Sequence, residues 1–225
     1  VADMLRQACA AARGEAEPVF VCTSIPPQHA KTETYLHGAA HWLKQQPGDF
    51  LAYLSYNQDI ADDKSAKVRQ YAGIAGVDIR TDTRSKKLWR TTADGGLMAG
   101  GIVGGSVTGR EALKCLIVDD PYRNRADAES RVIRDKVWAE FSSSIWTRLH
   151  SGTSVFVNHT RWHPDDLIGR IKKDPELGKL FRFVNYPVIT RGGDPAQTDD
   201  FDVLWPEVQT RELIKRKRMG STEYE

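Results

Sequence analysis

The sequence predicts an α/β fold in which helices flank a mainly parallel central sheet. Two observations lead to this prediction. Short runs rich in apolar and β-branched residues alternate with longer stretches of helical character, and helices are the usual connection between parallel strands. The runs are also mostly apolar throughout, as expected for strands that are buried on both faces. The 225 residues suffice for one large α/β domain, alone or with a small appendage.

The first part of the chain supplies two rounds of this alternation. We predict a strand over 18–24, a helix over 31–46, a strand over 49–56 and a helix over 57–73. Pro47 and Gly48 end the first helix, because proline cannot continue it and glycine favours a turn. Asn57 is a suitable N-cap for the second helix.

The segment 86–110 interrupts the alternation. It contains a predicted β-hairpin that turns at Asp94-Gly95-Gly96. The glycines at 100–105 resemble a dinucleotide-binding fingerprint, but no helix begins after them. We therefore interpret this stretch as a mobile glycine-rich loop.

The second part of the chain resumes the alternation. Its predicted elements are the strand run KCLIVDD (114–120), a long helix over 126–150, the strand TSVFVNHT (153–160), a helix that begins at 164–166 and the strand LFRFVNYPVI (180–189). We expect the long helix to be mainly structural, because four apolar residues recur at helical spacing: Trp138, Phe141, Ile145 and Leu149. Four arginines near its start are expected on a solvated face, with contact to DNA or a neighbouring subunit as the alternative: Arg123, Arg125, Arg131 and Arg134.

We assign residues 1–190 to one α/β core, and residues 191–225 to an exposed connection followed by a small, lid-like C-terminal tail. The acidic pairs Asp62-Asp63 and Asp199-Asp200 are expected to be solvated. A two-metal nuclease needs several carboxylates that converge on paired ions. No nuclease domain is therefore expected in this chain.

Composition excludes few classes of protein. The 32 basic and 30 acidic residues give a net charge of +2, which argues neither for nor against a nucleic-acid partner. No apolar run is long enough to cross a bilayer, and no signal-peptide pattern is seen. Cys9, Cys22 and Cys115 form no CxxC pair, so we expect small buried hydrophobes in a reducing cytoplasm rather than disulfides or a zinc site.

The stretch TSIPPQHAKTE (23–33) lies between a predicted strand and a predicted helix, which is the context of a phosphate-binding loop. In the template G-x-x-x-x-G-K-[ST], Ile25 and Ala30 occupy the two glycine positions. Lys31 would add a point charge for phosphate, and the Thr32 hydroxyl a ligand for Mg²⁺. The alternative is an ordinary strand-turn-helix. The candidate ATP-binding residues are Pro27, Gln28, His29, Ala30, Lys31, Thr32 and Glu33.

A second motif, CLIVDDP (115–121), is an apolar strand that ends in two carboxylates. In P-loop NTPases a strand beside the phosphate loop ends in an acid that holds the Mg²⁺ sphere, and Asp119 has that position. Asp120 follows directly and should point differently, so we expect it to polarise an attacking water. The alternative is two solvated acids at the end of a strand.

A third motif follows the next strand, where Asn158, His159 and Thr160 end an apolar run. A polar residue there, for which we choose Thr160, would sense the γ-phosphate. His159 and His163 are four residues apart, as are His37 and His41. Neither pair has the third ligand that a zinc site needs, so we expect surface or structural histidines.

Together these motifs resemble one family, the ATPase domain of the large terminase subunit of tailed bacteriophages and prophages. The resemblance covers most of the chain, in the stretches PPQHAKTE, SYNQDIADD, GGIVGGSVTGR, LIVDDPYRNRADAES, VWAEFSSSIWTRL, TRWHPDDLIGRI and LWPE. In that family the phosphate loop commonly has the pattern PPRxGK, so prolines replace the first glycine. Gln28 and Ala30 depart from this pattern. Gln28 lacks the charge of arginine, and Ala30 is expected to adopt a backbone conformation that L-residues tolerate.

The resemblance implies a RecA-like ATPase that uses ATP and Mg²⁺ to pump double-stranded DNA into an empty capsid in the host bacterial cytoplasm. It implies a homo-oligomeric ring at the portal protein of the procapsid, with a small terminase subunit as a further partner and a monomer as a possible isolated state. It also implies a C-terminal nuclease domain, which we do not expect in this chain. Two other functions stay open: a nucleotide-gated DNA-binding or assembly module with negligible hydrolysis, and another helicase-like P-loop ATPase.

Arg110 ends the glycine-rich segment and precedes Asp120 by ten residues. An arginine delivered to the γ-phosphate accelerates phosphoryl transfer by about 10³–10⁵. In motors that this chain resembles, such an arginine reaches the nucleotide of the neighbouring subunit, and we predict this role for Arg110. The alternative is an arginine paired on the surface with Glu111 or Asp82.

Overall fold

The computed structural model describes residues 2–104, 113–195 and 197–220, with side chains up to Arg218. Over these residues the chain is an α/β fold built on one large sheet. Its strands are, in chain order, β1 (Phe20–Ser24), β2 (Phe50–Ser55), β3 (Ile79–Arg84), β4 (Leu88–Thr91), β5 (Gly96–Gly101), β6 (Cys115–Asp119), β7 (Ser154–His159) and β8 (Arg182–Asn185). The spatial order is β3-β4-β5-β2-β6-β7-β1-β8.

The sheet is mixed but mostly parallel. Every pairing from β5 across to β8 is parallel, whereas β3 with β4 and β4 with β5 are antiparallel. The hairpin predicted at Asp94-Gly95-Gly96 is confirmed, and its turn has a positive φ of 64° at Asp94 and 147° at Gly96. A Cβ on Gly96 would lie 2.2 Å from the Trp89 carbonyl oxygen, so only glycine fits there.

Helices cover both faces of the sheet, as predicted. One face packs against α1 (Ala2–Ala12), α2 (Lys31–Gln45) and α3 (Gln58–Ile74). The other packs against α4 (Arg125–Glu129), α5 (Arg131–Ala139), α6 (Leu167–Lys173) and α7 (Leu177–Leu180). The strands between these layers are buried throughout in β2, β5, β6 and β7. Their continuous apolar character in the sequence follows from this double coverage.

The long helix predicted over 126–150 is wrong as a single helix. Ser130 has extended backbone, with φ −71° and ψ 113°, and separates α4 from α5. The buried guanidinium of Arg134 donates to the carbonyls of Ala128 and Glu129, each at 2.7 Å, and so satisfies the end of α4. The expectation of a solvated Arg134 is therefore wrong, whereas Arg131 is exposed.

After α5 the helical segment continues with two other hydrogen-bonding patterns. A π-helical turn covers Glu140–Ile145 and a 3₁₀ turn covers Trp146–Arg148. The hydroxyl of Ser142 donates to the carbonyl of Trp138, four residues earlier, a bond that commonly bends helices. Phe141 and Ile145 are nevertheless buried, and the partly buried Trp138 and Leu149 pack on the same cluster, so the predicted core-facing side is confirmed.

The tail forms a small module of its own. Strands β9 (Ile189–Gly192) and β10 (Phe201–Val203) pair antiparallel, and α8 (Arg211–Gly220) packs on them. The apolar side chains of Val188, Phe201, Val203 and Ile214 form its core. None of the helices in the described part of the chain is both long and apolar enough to cross a membrane.

Candidate functional site

The candidate site lies where parallel strands bring their carboxyl ends to one edge of the sheet. β7 lies between β1 and β6. In the registers of these pairs Thr23 is level with Asn158, and Asn158 is level with Asp119. The residues that follow the three strands therefore meet, so the three motifs found in the sequence form one site.

The loop between β1 and α2 (loop 25–30) has left-handed backbone at two positions. Gln28 has φ 63°, and Ala30 has φ 54° with ψ 18°. The expectation that Ala30 adopts a conformation that L-residues tolerate is met only in the small left-handed region, which alanine seldom occupies. Left-handed backbone costs a non-glycine residue about 1–2 kcal/mol. Glycine avoids that cost, which explains why the phosphate-loop template has glycine at this position.

The N-terminus of α2 is suited to an anion. Ala30 is the N-cap, and no side chain caps the first turn of the helix. The first N–H groups of a helix and its dipole favour phosphate at such an end. Left-handed residues in a turn also direct successive N–H groups into a concavity that holds anions. Loop 25–30 and the start of α2 thus offer backbone donors for a phosphate group.

Lys31 is the first residue of α2, and its ammonium group reaches across the site. The Nζ atom donates to Asp120 Oδ1 at 2.7 Å and to Thr160 Oγ1 at 2.8 Å. The side chain is 11% exposed, so the charge is largely shielded from bulk water. Thr160 in turn donates to the carbonyl of Ile25 at 3.2 Å, which ties the end of β7 to loop 25–30.

Asp119 is held by three donors from three elements. The hydroxyl of Thr32 donates to Oδ2 at 2.8 Å, the hydroxyl of Tyr53 donates to Oδ2 at 2.5 Å, and the Asn158 amide donates to Oδ1 at 2.6 Å. Burial raises the pKa of this carboxyl, and the neighbouring charge of Asp120 raises it further. The three donors act in the opposite direction, because they stabilise the carboxylate.

Asp120 faces Lys31 because the chain turns sharply after β6. Its φ is 47°, a left-handed value that aspartate adopts more readily than most residues. The Asp120 N–H donates to the carbonyl of Asn158 at 2.9 Å, and its carbonyl accepts from the Tyr56 N–H at 3.1 Å. The expectation that the two acids point differently is confirmed. Asp119 is buried, whereas the side chain of Asp120 is 35% exposed and can meet water.

The other predicted loop residues have varied surroundings. His29 donates from Nδ1 to the Pro27 carbonyl at 2.8 Å, and its buried Nε2 has no partner within the described residues. The Gln28 side chain accepts from Gln209 of the tail at 3.2 Å. Glu33 turns away from the loop and bonds Lys67 and Tyr71 of α3, and the bond from Lys67 chiefly lowers its pKa. A side-chain role for Glu33 toward phosphate therefore has no geometric support.

Arg110 lies outside the described residues.

The structure also places His159 and the acidic pairs. His159 is buried, and burial lowers its pKa, so it is a structural histidine. Asp63, Asp199 and Asp200 are exposed, and Asp63 and Asp199 pair with lysines, which agrees with the expectation of solvated acids. Asp62 departs from it, because it is half-buried and accepts from the Gln58 side chain.

Tyr53 is the residue of this site that sequence reasoning missed. It lies on β2, next to β6, and its hydroxyl is the donor nearest to the buried Asp119 carboxylate. Nothing in the spacing of β2 distinguishes it from the other apolar positions of a buried strand. Only the register between β2 and β6, which pairs Tyr53 with Ile117, brings it to the acid.

The site also fits a magnesium ion. Mg²⁺ prefers oxygen ligands and commonly takes one or two from the protein, with water and phosphate oxygens completing the octahedron. Thr32 Oγ1 and Asp119 Oδ2 supply two such oxygens 2.8 Å apart. The buried Asn158 Oδ1 beside them has no hydrogen-bond partner within the described residues. The same residues include no cluster of three or more His, Cys, Asp or Glu side chains.

Comparison of the chain with protein-family models gave no match, and comparison with curated proteins gave none either.

Proposed function

We propose that this chain is a RecA-like P-loop ATPase with ATP and Mg²⁺ as its substrate. One observation carries the proposal. Lys31 and Thr32, adjacent at the start of α2, each bond one carboxylate of the adjacent pair Asp120 and Asp119. A lysine and a hydroxyl at a helix N-terminus, facing acids at the end of a neighbouring parallel strand, are the parts that phosphoryl transfer needs.

Each side chain has a distinct role in this proposal. The N–H groups of loop 25–30 and of the first turn of α2 bind the β- and γ-phosphate oxygens, and Lys31 adds a positive charge. Thr32 and Asp119 hold Mg²⁺, which supplies charge neutralisation at the transferring phosphate. Thr160, which bonds Lys31, is placed to detect whether a γ-phosphate is present.

Asp120 is the residue that would polarise the attacking water. Asp120 is paired with Lys31 at 2.7 Å, so its carboxylate is engaged. A triphosphate in loop 25–30 competes for the Lys31 ammonium with several negative oxygens. Binding of substrate therefore releases Asp120 toward the water, and general-base assistance of this kind contributes about 10²–10⁴ in rate.

We propose further that hydrolysis drives double-stranded DNA into a procapsid. This step rests on the terminase-like stretches such as DDPYRNRADAES and TRWHPDDL. The proposal includes a ring of these chains at the portal protein, a small terminase subunit, the host bacterial cytoplasm as location, and Arg110 acting on the nucleotide of a neighbouring subunit.

A second candidate is a nucleotide-gated DNA-binding or assembly module with negligible hydrolysis. Two observations favour it. Ala30 stands in a left-handed conformation that glycine would adopt without strain. Asp120 is paired with Lys31 at 2.7 Å, which occupies the carboxylate that would polarise the water.

Calorimetry and phosphate release test both candidates. The unaltered chain should bind Mg·ATP, and Lys31→Ala should lose that binding. Lys86→Ala is the matched control, because Lys86 is an exposed lysine paired with Asp63 on the surface. Equal ATP binding by Lys31→Ala and the unaltered chain would remove loop 25–30 as the site. Phosphate release stimulated by double-stranded DNA supports the motor, whereas binding without release supports the gated module.

A further inference from the structure

A cavity of about 670 Å³ opens beside loop 25–30. Its near wall includes Pro26 and Pro27 of that loop and Thr160 of the candidate phosphate site. The cavity is therefore continuous with the place where phosphates are proposed to bind. None of the roles proposed above uses this space.

The rest of the lining is largely apolar and aromatic. Phe183 and Cys22 come from the strands β8 and β1, and Trp162 and Tyr186 come from the segments that follow β7 and β8. The size lies in the range of about 300–1,000 Å³ that is usual for small-molecule sites, which combine such walls with a few polar groups. A site at the carboxyl ends of parallel strands is also where α/β proteins bind ligands.

The two charged side chains of the lining are both basic. Arg161 and Lys172 are its two ionisable side chains apart from Cys22 and Tyr186, and it includes no carboxylate. Arg161 is fixed in place, because its Nε donates at 2.6 Å to the fully buried Asp166. Asp166 thus balances the charge of Arg161, and the largely apolar cavity suits an uncharged ring system that is joined to phosphates at the adjoining site.

The wall that carries Tyr186 is held at two points. The Tyr186 N–H donates to the carbonyl of Ser24 at 2.9 Å, which continues the pairing of β8 with β1. Two residues later, Val188 is buried in the core of the tail module. The cavity is thus preformed, with Tyr186 anchored between the sheet and the tail.

We propose that this cavity binds the nucleoside moiety, a purine base with its ribose, of the nucleotide whose phosphates bind at loop 25–30. The inference rests on the proposed function, because the cavity shares Pro26, Pro27 and Thr160 with the candidate phosphate site. The ligand whose phosphates bind there is the one whose remaining part can enter the cavity. The Tyr186 ring provides a stacking surface for the base, and the Asn185 amide can pair with the N6 and N7 edge that adenine presents. A free phosphate or polyphosphate would leave this cavity empty.

Calorimetry of the full chain with two ligands separates the base from the phosphates. Mg·ATP carries both, and inorganic tripolyphosphate carries the phosphates alone. Base–aromatic stacking accounts for about 1–3 kcal/mol per base, so Tyr186→Ala should weaken ATP binding about 5-fold to 150-fold and leave tripolyphosphate binding unchanged. Tyr186→Phe retains the ring and should bind ATP like the unaltered chain. Lys31→Ala should weaken both ligands.

The outcomes distinguish the two proposals. Normal ATP binding by Tyr186→Ala, together with loss of binding by Lys31→Ala, would overturn the cavity assignment and leave the proposed function standing. Equal weakening of ATP and tripolyphosphate by Tyr186→Ala would also overturn it, because the effect would then act through the loop. Undiminished binding of both ligands by Lys31→Ala would overturn the proposed function itself.

A second measurement needs no variant at Tyr186. Mg·ATP should bind the unaltered chain about 5-fold to 150-fold more tightly than Mg·tripolyphosphate, because only ATP carries the base that fills the cavity. Equal affinity for the two ligands would contradict the inference even if Tyr186→Ala does not fold.

Discussion

Replacing Ala30 by glycine should stabilise the protein, which is the opposite of the usual effect of this substitution. Ala30 is exposed, so its methyl group contributes little packing that the change would remove. Its backbone is left-handed, with φ 54° and ψ 18°, and it is the N-cap of α2. The substitution therefore acts on the backbone alone.

The magnitude follows from two opposing terms. Glycine relieves a left-handed strain of about 1–2 kcal/mol, and it is also preferred over alanine at an N-cap. The greater freedom of glycine in the unfolded chain offsets about 0.4–1 kcal/mol of this gain. We expect the free energy of unfolding to rise by about 0.5–1 kcal/mol. For a chain of this size the Tm should rise by about 1–4 °C.

Urea denaturation without nucleotide measures the change, and Ala75→Gly is the matched control. Ala75 is also exposed and also stands at a helix end, as the C-cap of α3, but it has a right-handed backbone with φ −72° and ψ −4°. Glycine has no strain to relieve there and should lower the free energy of unfolding by about 0.4–1 kcal/mol. The two substitutions should thus have opposite signs. If Ala30→Gly destabilises as much as Ala75→Gly, the left-handed entry into α2 does not exist in solution.

Three further predictions concern titratable groups. Asp119→Asn should raise the free energy of unfolding at pH 7 without metal, because burial raises the pKa of that carboxyl and its charge is costly; urea denaturation measures this. Asp120→Asn should bind Mg·ATP normally and hydrolyse it about 10²–10⁴ more slowly in single-turnover assays. His159→Gln should flatten the loss of stability in acid. Burial lowers the pKa of His159 below its value of about 6.5 in the unfolded chain. Between these two pKa values the unfolded chain binds a proton that the folded chain does not, so acid lowers the free energy of unfolding by up to about 1.4 kcal/mol per pH unit.

Each of these has a contrary outcome. A less stable Asp119→Asn would mean that the three donors outweigh the cost of burying the charge. An Asp120→Asn variant at full rate, or one that fails to bind nucleotide, would contradict the assignment within the acidic pair. Parallel stability profiles from pH 7.5 to pH 5 for His159→Gln and the unaltered chain would exclude His159 as the titrating group.

Much of the fold could be predicted because its signals are local. Apolar runs marked the buried strands, and Asn57 marked a helix start, since its side chain accepts from the Ile60 N–H at 3.0 Å. The break at Ser130 could not be predicted in this way. It depends on Arg134 folding back onto the carbonyls of α4, a contact that a helical repeat does not encode.

The same distinction between local signals and contacts made only in the fold applies to the residues of the candidate site. Lys31, Thr32, Asp119 and Asp120 follow strand ends, and parallel strands bring such ends together, so their meeting was predictable. Tyr53 was not, because it reaches Asp119 only through the register of β2 on β6. Sequence reasoning also missed the positive φ of Ala30, because alanine itself favours right-handed backbone, although the glycine of the phosphate-loop template at that position is the signal that could have found it.

The position of β1 has a consequence for synthesis of the chain. β1 lies between β7 and β8, and the Val19 N–H donates to the hydroxyl of Ser154, 135 residues later. At about 5–20 residues per second, a ribosome needs roughly 7–27 s to make the intervening chain. During that time the apolar β1 has neither of its neighbouring strands. The pairing of β1, the strand that precedes loop 25–30, is therefore among the last in the sheet to form. A nascent chain of this protein should therefore depend on chaperones until β7 and β8 emerge.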